Sequence, residues 1–229
     1  EAYEKAISLK PDYAETYNNM GVILQEQGKF KKAIGAYSKT ITLKPDNVGA
    51  YKNMGVSLQD QGKLDKAIEV YYAALSIQPN CADTHKNLSF ALLNIGRLKE
   101  GLDEYEWRFK TSKGLSKQRC FKLPLWDGEE SLKGKRILIW SEQGVGDTIN
   151  WCSLLSWVAS QVDDCILECQ EKLVPLLVRS FPDIVVKPEF RGLDKGRNDF
   201  DFHIPMGSLY RHFLKKTFQE VEPAAFLIP

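Results

Sequence analysis

Tyr17-Asn-Asn-Met-Gly21 and Tyr51-Lys-Asn-Met-Gly55 are near copies set 34 residues apart, and this pair decides how the first half of the chain folds. The copying extends outward in both directions. Pro11, Pro45 and Pro79 keep the spacing of 34, as do Gly28, Gly62 and Gly96, and Tyr3, Tyr37, Tyr71 and Tyr105. A fixed period of this length marks stacked supersecondary units, each too small to bury its own apolar face. Within a unit, the Tyr-to-Gly stretch opens one helix, and Ala33 and Tyr37 (or Ala67 and Tyr71) lie on a second. Proline then ends the second helix, because it lacks the N–H and clashes with the preceding turn. Gly21 and Gly55 supply a small residue where the two helices approach, and Ala33 and Ala67 fill the facing position.

Glu1 to Leu9 align with Gly35 to Leu43 as a second helix without its partner, so the chain is expected to be a fragment. The unit after Pro79 decays: His85 replaces Tyr, Ser89 replaces Gly, Gly101 replaces Ala, and no proline follows, as in a terminal cap. This pattern resembles the tetratricopeptide repeat, so an α solenoid is expected over residues 1–109, its first repeat truncated. Asn19, Asn53 and Asn87 recur at one position of the first helix, which lines the concave face of such solenoids. Amides there would donate to and accept from the backbone of an extended peptide without reading its side chains. Arrays resembling that of the O-linked N-acetylglucosamine transferases carry Asn at this position for that purpose. The alternative is that these amides follow the repeat pattern and bond water or their neighbours.

With 229 residues, the chain has room for about two domains. It is 43% hydrophobic with a formal net charge of +1, which gives no support to a nucleic-acid or membrane-surface role. Five cysteines form no CxxC pair and only three histidines accompany them, so no zinc site is expected; the odd count fits reduced thiols in a cytoplasmic setting. Nothing in the sequence is long and apolar enough to span a membrane.

Between the halves, residues 110–136 carry 8 basic and 3 acidic side chains, and residues 110–133 read as a solvated linker. Tyr105-Glu-Trp-Arg-Phe109 offers aromatics for packing at the end of the arm, and Trp126, between turns, reads as an anchor pinning the linker to a domain surface.

In Lys135-Arg-Ile-Leu-Ile-Trp-Ser-Glu-Gln-Gly-Val-Gly-Asp-Thr148, Ile137 to Trp140 read as a buried strand. A glycine turn follows, then a helix from Thr148 with Ile149, Cys152, Leu155 and Val158 at helical spacing. Strands at Cys165–Cys169, Ile184–Val186 and Phe200–Ile204 then alternate with helices at Gln170–Ser180 and from Met206, which predicts a parallel sheet. Pro175 fits the first turn of its helix.

The segments Trp126-Asp-Gly-Glu, Leu132-Lys-Gly-Lys-Arg-Ile-Leu-Ile, Glu142-Gln-Gly-Val-Gly-Asp147 and Phe202-His-Ile-Pro-Met-Gly-Ser-Leu209 resemble a bacterial glycosyltransferase group. In that group tetratricopeptide repeats precede a GT-B region similar to the heptosyltransferases. The resemblance implies that residues 134–229 are a Rossmann-like, acceptor-binding half of such an enzyme. The nucleotide-sugar donor would be bound mainly by a carboxyl-terminal half absent from this sequence, and the fragment alone would be inactive.

Gly144 and Gly146 would let backbone N–H groups approach a ligand, although Ile149 stands where a GxGxxG fingerprint needs glycine. Asp147 is either a helix N-cap or, as the resemblance implies, the general base that deprotonates the acceptor hydroxyl. Glu142 and Gln143 belong to the same turn; Glu142 would orient the acceptor or bind a nearby cation. His203 reads as a satisfied core residue or an acceptor contact, with Asp201 on its sheet face as a candidate partner, and Ser208 as a helix N-cap. No metal is expected, since no DxD-type carboxylate pair stands in a suitable loop. Two functions follow. One is a sugar transferase fragment whose repeats dock a protein acceptor or partner; the other is a non-catalytic protein-interaction module with a degenerate α/β scaffold.

Overall fold

The computed structural model describes residues 10–115, 119–142, 144–190 and 196–217. The chain divides into two compact units, residues 1–112 and 113–229.

Among the described residues, the first unit has three helix pairs: α1 (Ala14–Glu26) with α2 (Phe30–Leu43), α3 (Val48–Asp60) with α4 (Leu64–Ile77), and α5 (Ala82–Asn94) with α6 (Leu98–Tyr105). The helix aligned to residues 1–9 lies outside the described residues. Pro45 and Pro79 stand two residues beyond the ends of α2 and α4, as the period predicts. Gly28, Gly62 and Gly96 adopt φ of 70°, 70° and 81° and close the first helix of each pair. There Gly62 N–H donates to Gln59 C=O (2.8 Å) and Lys63 N–H to Leu58 C=O (2.9 Å), which satisfies carbonyls left open at a helix end.

Gly21 and Gly55 are small for a specific reason. A Cβ at Gly21 would stand 2.5 Å from the Tyr37 ring, and one at Gly55 2.3 Å from the Tyr71 ring. Each tyrosine is fully buried against its glycine, and its hydroxyl donates to Gln25 (2.9 Å) or Gln59 (3.0 Å). The decayed third unit keeps the helix pair by compensation. Leu93 fills the space that an alanine at position 101 would need, 2.7 Å from a Cβ there, and Ser89 is buried with its hydroxyl on the Lys86 carbonyl. The aromatics at the arm's end pack within the unit: Trp107 stacks on His85 at 3.8 Å, and buried Arg108 sits over Tyr105 and Phe109.

A single-turn helix, α7 (Ser112–Leu115), leads into the second unit. Its described residues form a four-stranded parallel sheet of β1 (Arg136–Trp140), β2 (Asp164–Cys169), β3 (Val185–Pro188) and β4 (Phe202–Pro205), in the order β3-β2-β1-β4. Between β1 and β2 run α8 (Val145–Trp151) and α9 (Leu155–Ala159); α10 (Val174–Ser180) precedes β3, and α11 (Leu209–Thr217) follows β4. Pro175 lies in the first turn of α10, where its missing donor costs nothing. One sheet face carries Ile137, Ile139, Cys165, Leu167, Phe202 and Ile204, packed against Leu155, Val158, Leu173, Leu177 and Leu209 of the helical layer.

The other face carries Trp140, Glu168 and His203 and is closed by extended chain. Phe121 lies 4.2 Å from the His203 ring and 6.1 Å from that of Trp140, and Arg119 and Arg197 both pair with buried Glu168 at 2.7 and 2.6 Å. Part of the stretch read as a linker therefore belongs to this fold. Trp126 is 1% exposed within the core, its indole N–H donates to the Glu130 carbonyl (2.9 Å), and Leu125 forms a parallel bridge to His203. It anchors the segment along the outer edge of β4.

Candidate functional site

Two places collect the residues singled out by sequence. The first is the carboxyl edge of the sheet. From β1 the chain runs outward to β2 and β3, then crosses back to place β4 on the other side of β1, and the point where the strand order reverses is where open parallel sheets bind ligands. After β1 come Ser141 and buried Glu142; Gln143 lies outside the described residues.

Here the helix start needs correcting. α8 begins at Val145 rather than Thr148, with Gly144 as its cap in an extended conformation (φ −72°, ψ 175°). Asp147 is thus the third helical residue and no N-cap: its carboxylate reaches back to accept from Gly144 N–H at 3.2 Å. A first-turn carboxylate is favoured there by the helix dipole. Asp147 is exposed, and among the described residues a Cβ on Gly146 would meet nothing within 4 Å, so the turn is open toward them.

Around it runs a hydrogen-bonded rim that sequence reading missed. Ser141 Oγ donates to Glu189 (2.9 Å), and Thr148 Oγ1 shares its one proton between the Gly144 carbonyl and Gln170 Oε1 (both 3.1 Å). These partners come from the ends of different strands, which only the sheet brings together.

His203 is not part of this rim. It pairs with Leu138 in mid-sheet, is buried, and accepts from the Trp140 indole N–H at Nδ1 (3.3 Å). Asp201 does not join it: its carboxylate takes the Arg136 backbone N–H (2.8 Å) and guanidinium (3.0 Å) at the opposite end of β1, and that guanidinium holds its carboxyl below the usual range. The strand starts at Phe202, so the alternation assumed from Phe200 does not extend to Asp201. Ser208 lies in a 3-10 turn just ahead of α11. Burial pushes the thiols of Cys152, Cys165 and Cys169 up to about 11, 12 and 11, which leaves them protonated and unreactive.

The second place is the face made by α1, α3 and α5, which contact one another in succession. Asn19 is exposed and Asn53 and Asn87 half-buried; among the described residues none of the three amides hydrogen-bonds within the protein. Other Asn side chains are engaged: Asn47 caps α3 through the Ala50 N–H, and Asn94 donates to the Phe90 carbonyl. Asn53 lines a hollow of about 570 Å³ with Val22, Gln25, Glu26, Phe30 and Asp60. Burial first, and then the Glu26 carboxylate, push the Tyr37 phenol up to about 12. The model of the tetratricopeptide repeat matches residues 14–47 and 48–81.

The arm is built of tetratricopeptide repeats.

The third repeat lies beyond the matched residues, yet folds as the same helix pair. Protein FlbA of Caulobacter vibrioides (strain ATCC 19089 / CIP 103742 / CB 15) is 34% identical over 89 residues, 37% of this chain and 14% of its own length. A crystal structure of MamA, 24% identical, aligns over 51% of this chain and 68% of its own with a TM-score of 0.46. The first repeat domain of Spaghetti (RPAP3), solved with an HSP90 peptide, is 21% identical and aligns over 42% of this chain and 77% of its own, with a TM-score of 0.42. The chain therefore spans only a small part of FlbA, and 62% of a MamA chain from MSR-1. Among the described residues, no helix is long and apolar enough to cross a membrane.

Proposed function

We propose that the repeats bind an extended peptide segment of a partner protein along the face of α1, α3 and α5. The observation that carries this reading is the column Asn19, Asn53 and Asn87, one amide per repeat, left without a hydrogen bond among the described residues. An amide offers both a donor and an acceptor, so it can grip a peptide backbone at regular intervals whatever the side chains. Three rungs give weak binding, which further repeats would strengthen through effective concentration. The test is a peptide selected from a random dodecapeptide phage library. Changing all three Asn to Ala should weaken its binding at least tenfold without shifting the thermal midpoint; unchanged affinity overturns the reading.

A second reading is supported by the open Gly144–Asp147 turn at the carboxyl edge of a parallel sheet ordered β3-β2-β1-β4. In it, the α/β unit is the acceptor-side half of a GT-B sugar transferase, and a nucleotide-sugar donor is held mainly by a half outside this sequence. Asp147 would take the acceptor hydroxyl proton while that oxygen bonds to the anomeric carbon. The bond from that carbon to phosphate oxygen breaks, and its electron pair leaves with the nucleotide. General-base removal lowers rate by about 10²- to 10⁴-fold. Sugar transfer by the full-length gene product should therefore fall by that order in Asp147→Asn; transfer at the parent rate rejects the assignment.

A further inference from the structure

The hollow beside Asn53 has a chemistry of its own. Val22 and Phe30 offer apolar surface, Gln25 and Asn53 offer amides, and the charged residues lining it are two carboxylates, Glu26 and Asp60. Gln25 accepts from the Tyr37 hydroxyl through Oε1, which leaves its –NH₂ group for another partner. Among the described residues neither Glu26 nor Asp60 forms an ion pair. Both are the last residues of their helices, α1 and α3, where the dipole disfavours an anion, and they stand 34 residues apart. Placing unpaired carboxylates twice at an electrostatically adverse position works against helix stability, and such conflicts mark functional surface. The lysines nearby, Lys29, Lys31 and Lys32, line a separate hollow of about 450 Å³ that shares Phe30.

We propose that this hollow takes a lysine or arginine side chain of the bound peptide. The long aliphatic stem lies on Val22 and Phe30 while the cation meets Glu26 and Asp60, the usual division for an amphipathic cationic side chain. Asn53, at the same wall, holds the adjoining backbone. The inference rests on the peptide-binding reading above and adds to it the identity of one side chain: the amides grip any sequence, whereas the two carboxylates select.

The test uses peptides selected from the same dodecapeptide phage library. They should be enriched in Arg and Lys over the unselected library. Replacing the key cation of a selected peptide by Gln should weaken binding about tenfold at low salt, as expected for one partly desolvated charge pair. The double variant Glu26→Gln/Asp60→Asn should weaken binding of the parent peptide by a similar factor, no longer distinguish the two peptides, and raise rather than lower the thermal midpoint. If selected peptides depend on the three Asn residues but bind equally with Gln in place of the cation, the inference fails and the peptide-binding reading stands. Enrichment in acidic residues also overturns it, and a failure to select any peptide overturns both.

Discussion

Replacing Gly55 with Ala tests the packing that holds the repeats together. The added methyl would lie 2.3 Å from Tyr71 Cε1 and 2.8 Å from Cδ1 and Cζ. Carbon atoms in contact sit about 3.5–4.0 Å apart, so the ring must retreat by more than an ångström. Tyr71 has no room to do so: it is fully buried, and its hydroxyl is tied to Gln59 at 3.0 Å. Overpacking of this kind costs about 1–3 kcal/mol, and losing the hydroxyl bond adds roughly 1 kcal/mol. Against this, Ala is favoured over Gly inside a helix by about 1 kcal/mol. The net expectation is a loss of about 1–3 kcal/mol, read from urea unfolding followed by circular dichroism. A double-mutant cycle isolates the cause. In a Tyr71→Leu background the obstacle is gone, so Gly55→Ala should become neutral or stabilising by up to about 1 kcal/mol. If the single variant matches the parent in stability, or if Gly55→Ala costs as much in the Tyr71→Leu background as beside the tyrosine, the contact does not limit the repeat.

Other consequences can be checked in the same protein. At pH 8, exposed Cys120 should react with a maleimide far faster than Cys152, Cys165 or Cys169, which should label only on unfolding. Because burial raises those three thiols above the ordinary value of 9.0, the unfolded chain loses protons first as pH rises, so stability should fall above about pH 9; a flat profile between pH 8 and 10 would contradict the burial. Gly146→Ala should fold with unchanged or slightly raised stability, since open space surrounds the position and its φ is not left-handed; a loss of ligand binding without a loss of stability would mark the turn as a contact, whereas unfolding would show the space is filled. Glu168→Ala removes the buried carboxylate that Arg119 and Arg197 share over the sheet, while Arg197 keeps Asp199 at 2.7 Å, and should destabilise the α/β unit by about 3 kcal/mol, as breaking a buried pair does; a change under about 1 kcal/mol would mean water already reaches the cluster.

What the sequence determined by itself was periodic and local. A spacing of 34 places Tyr, Gly, Ala and Pro at equivalent points of each repeat, so helix pairs, their ends and the column of Asn19, Asn53 and Asn87 could be read without coordinates. Short β-branched runs separated by helical patterns likewise foretold a parallel sheet. Glu26 and Asp60 share that period and were legible in principle, but their significance depends on having no cationic partner among the described residues, which no spacing reveals. Tertiary structure decided the rest, because hydrogen bonds and ion pairs join residues far apart in the chain. Arg119, Glu168 and Arg197 converge only once β2 is in place, the Leu125 segment becomes an edge partner only beside β4, and Asp201 faces Arg136 because β4 begins at Phe202, after it. At the Gly144–Asp147 turn, sequence supplied the residues, and the fold set the helix start three residues early, turning Asp147 from a cap into an exposed first-turn carboxylate at the edge of the sheet.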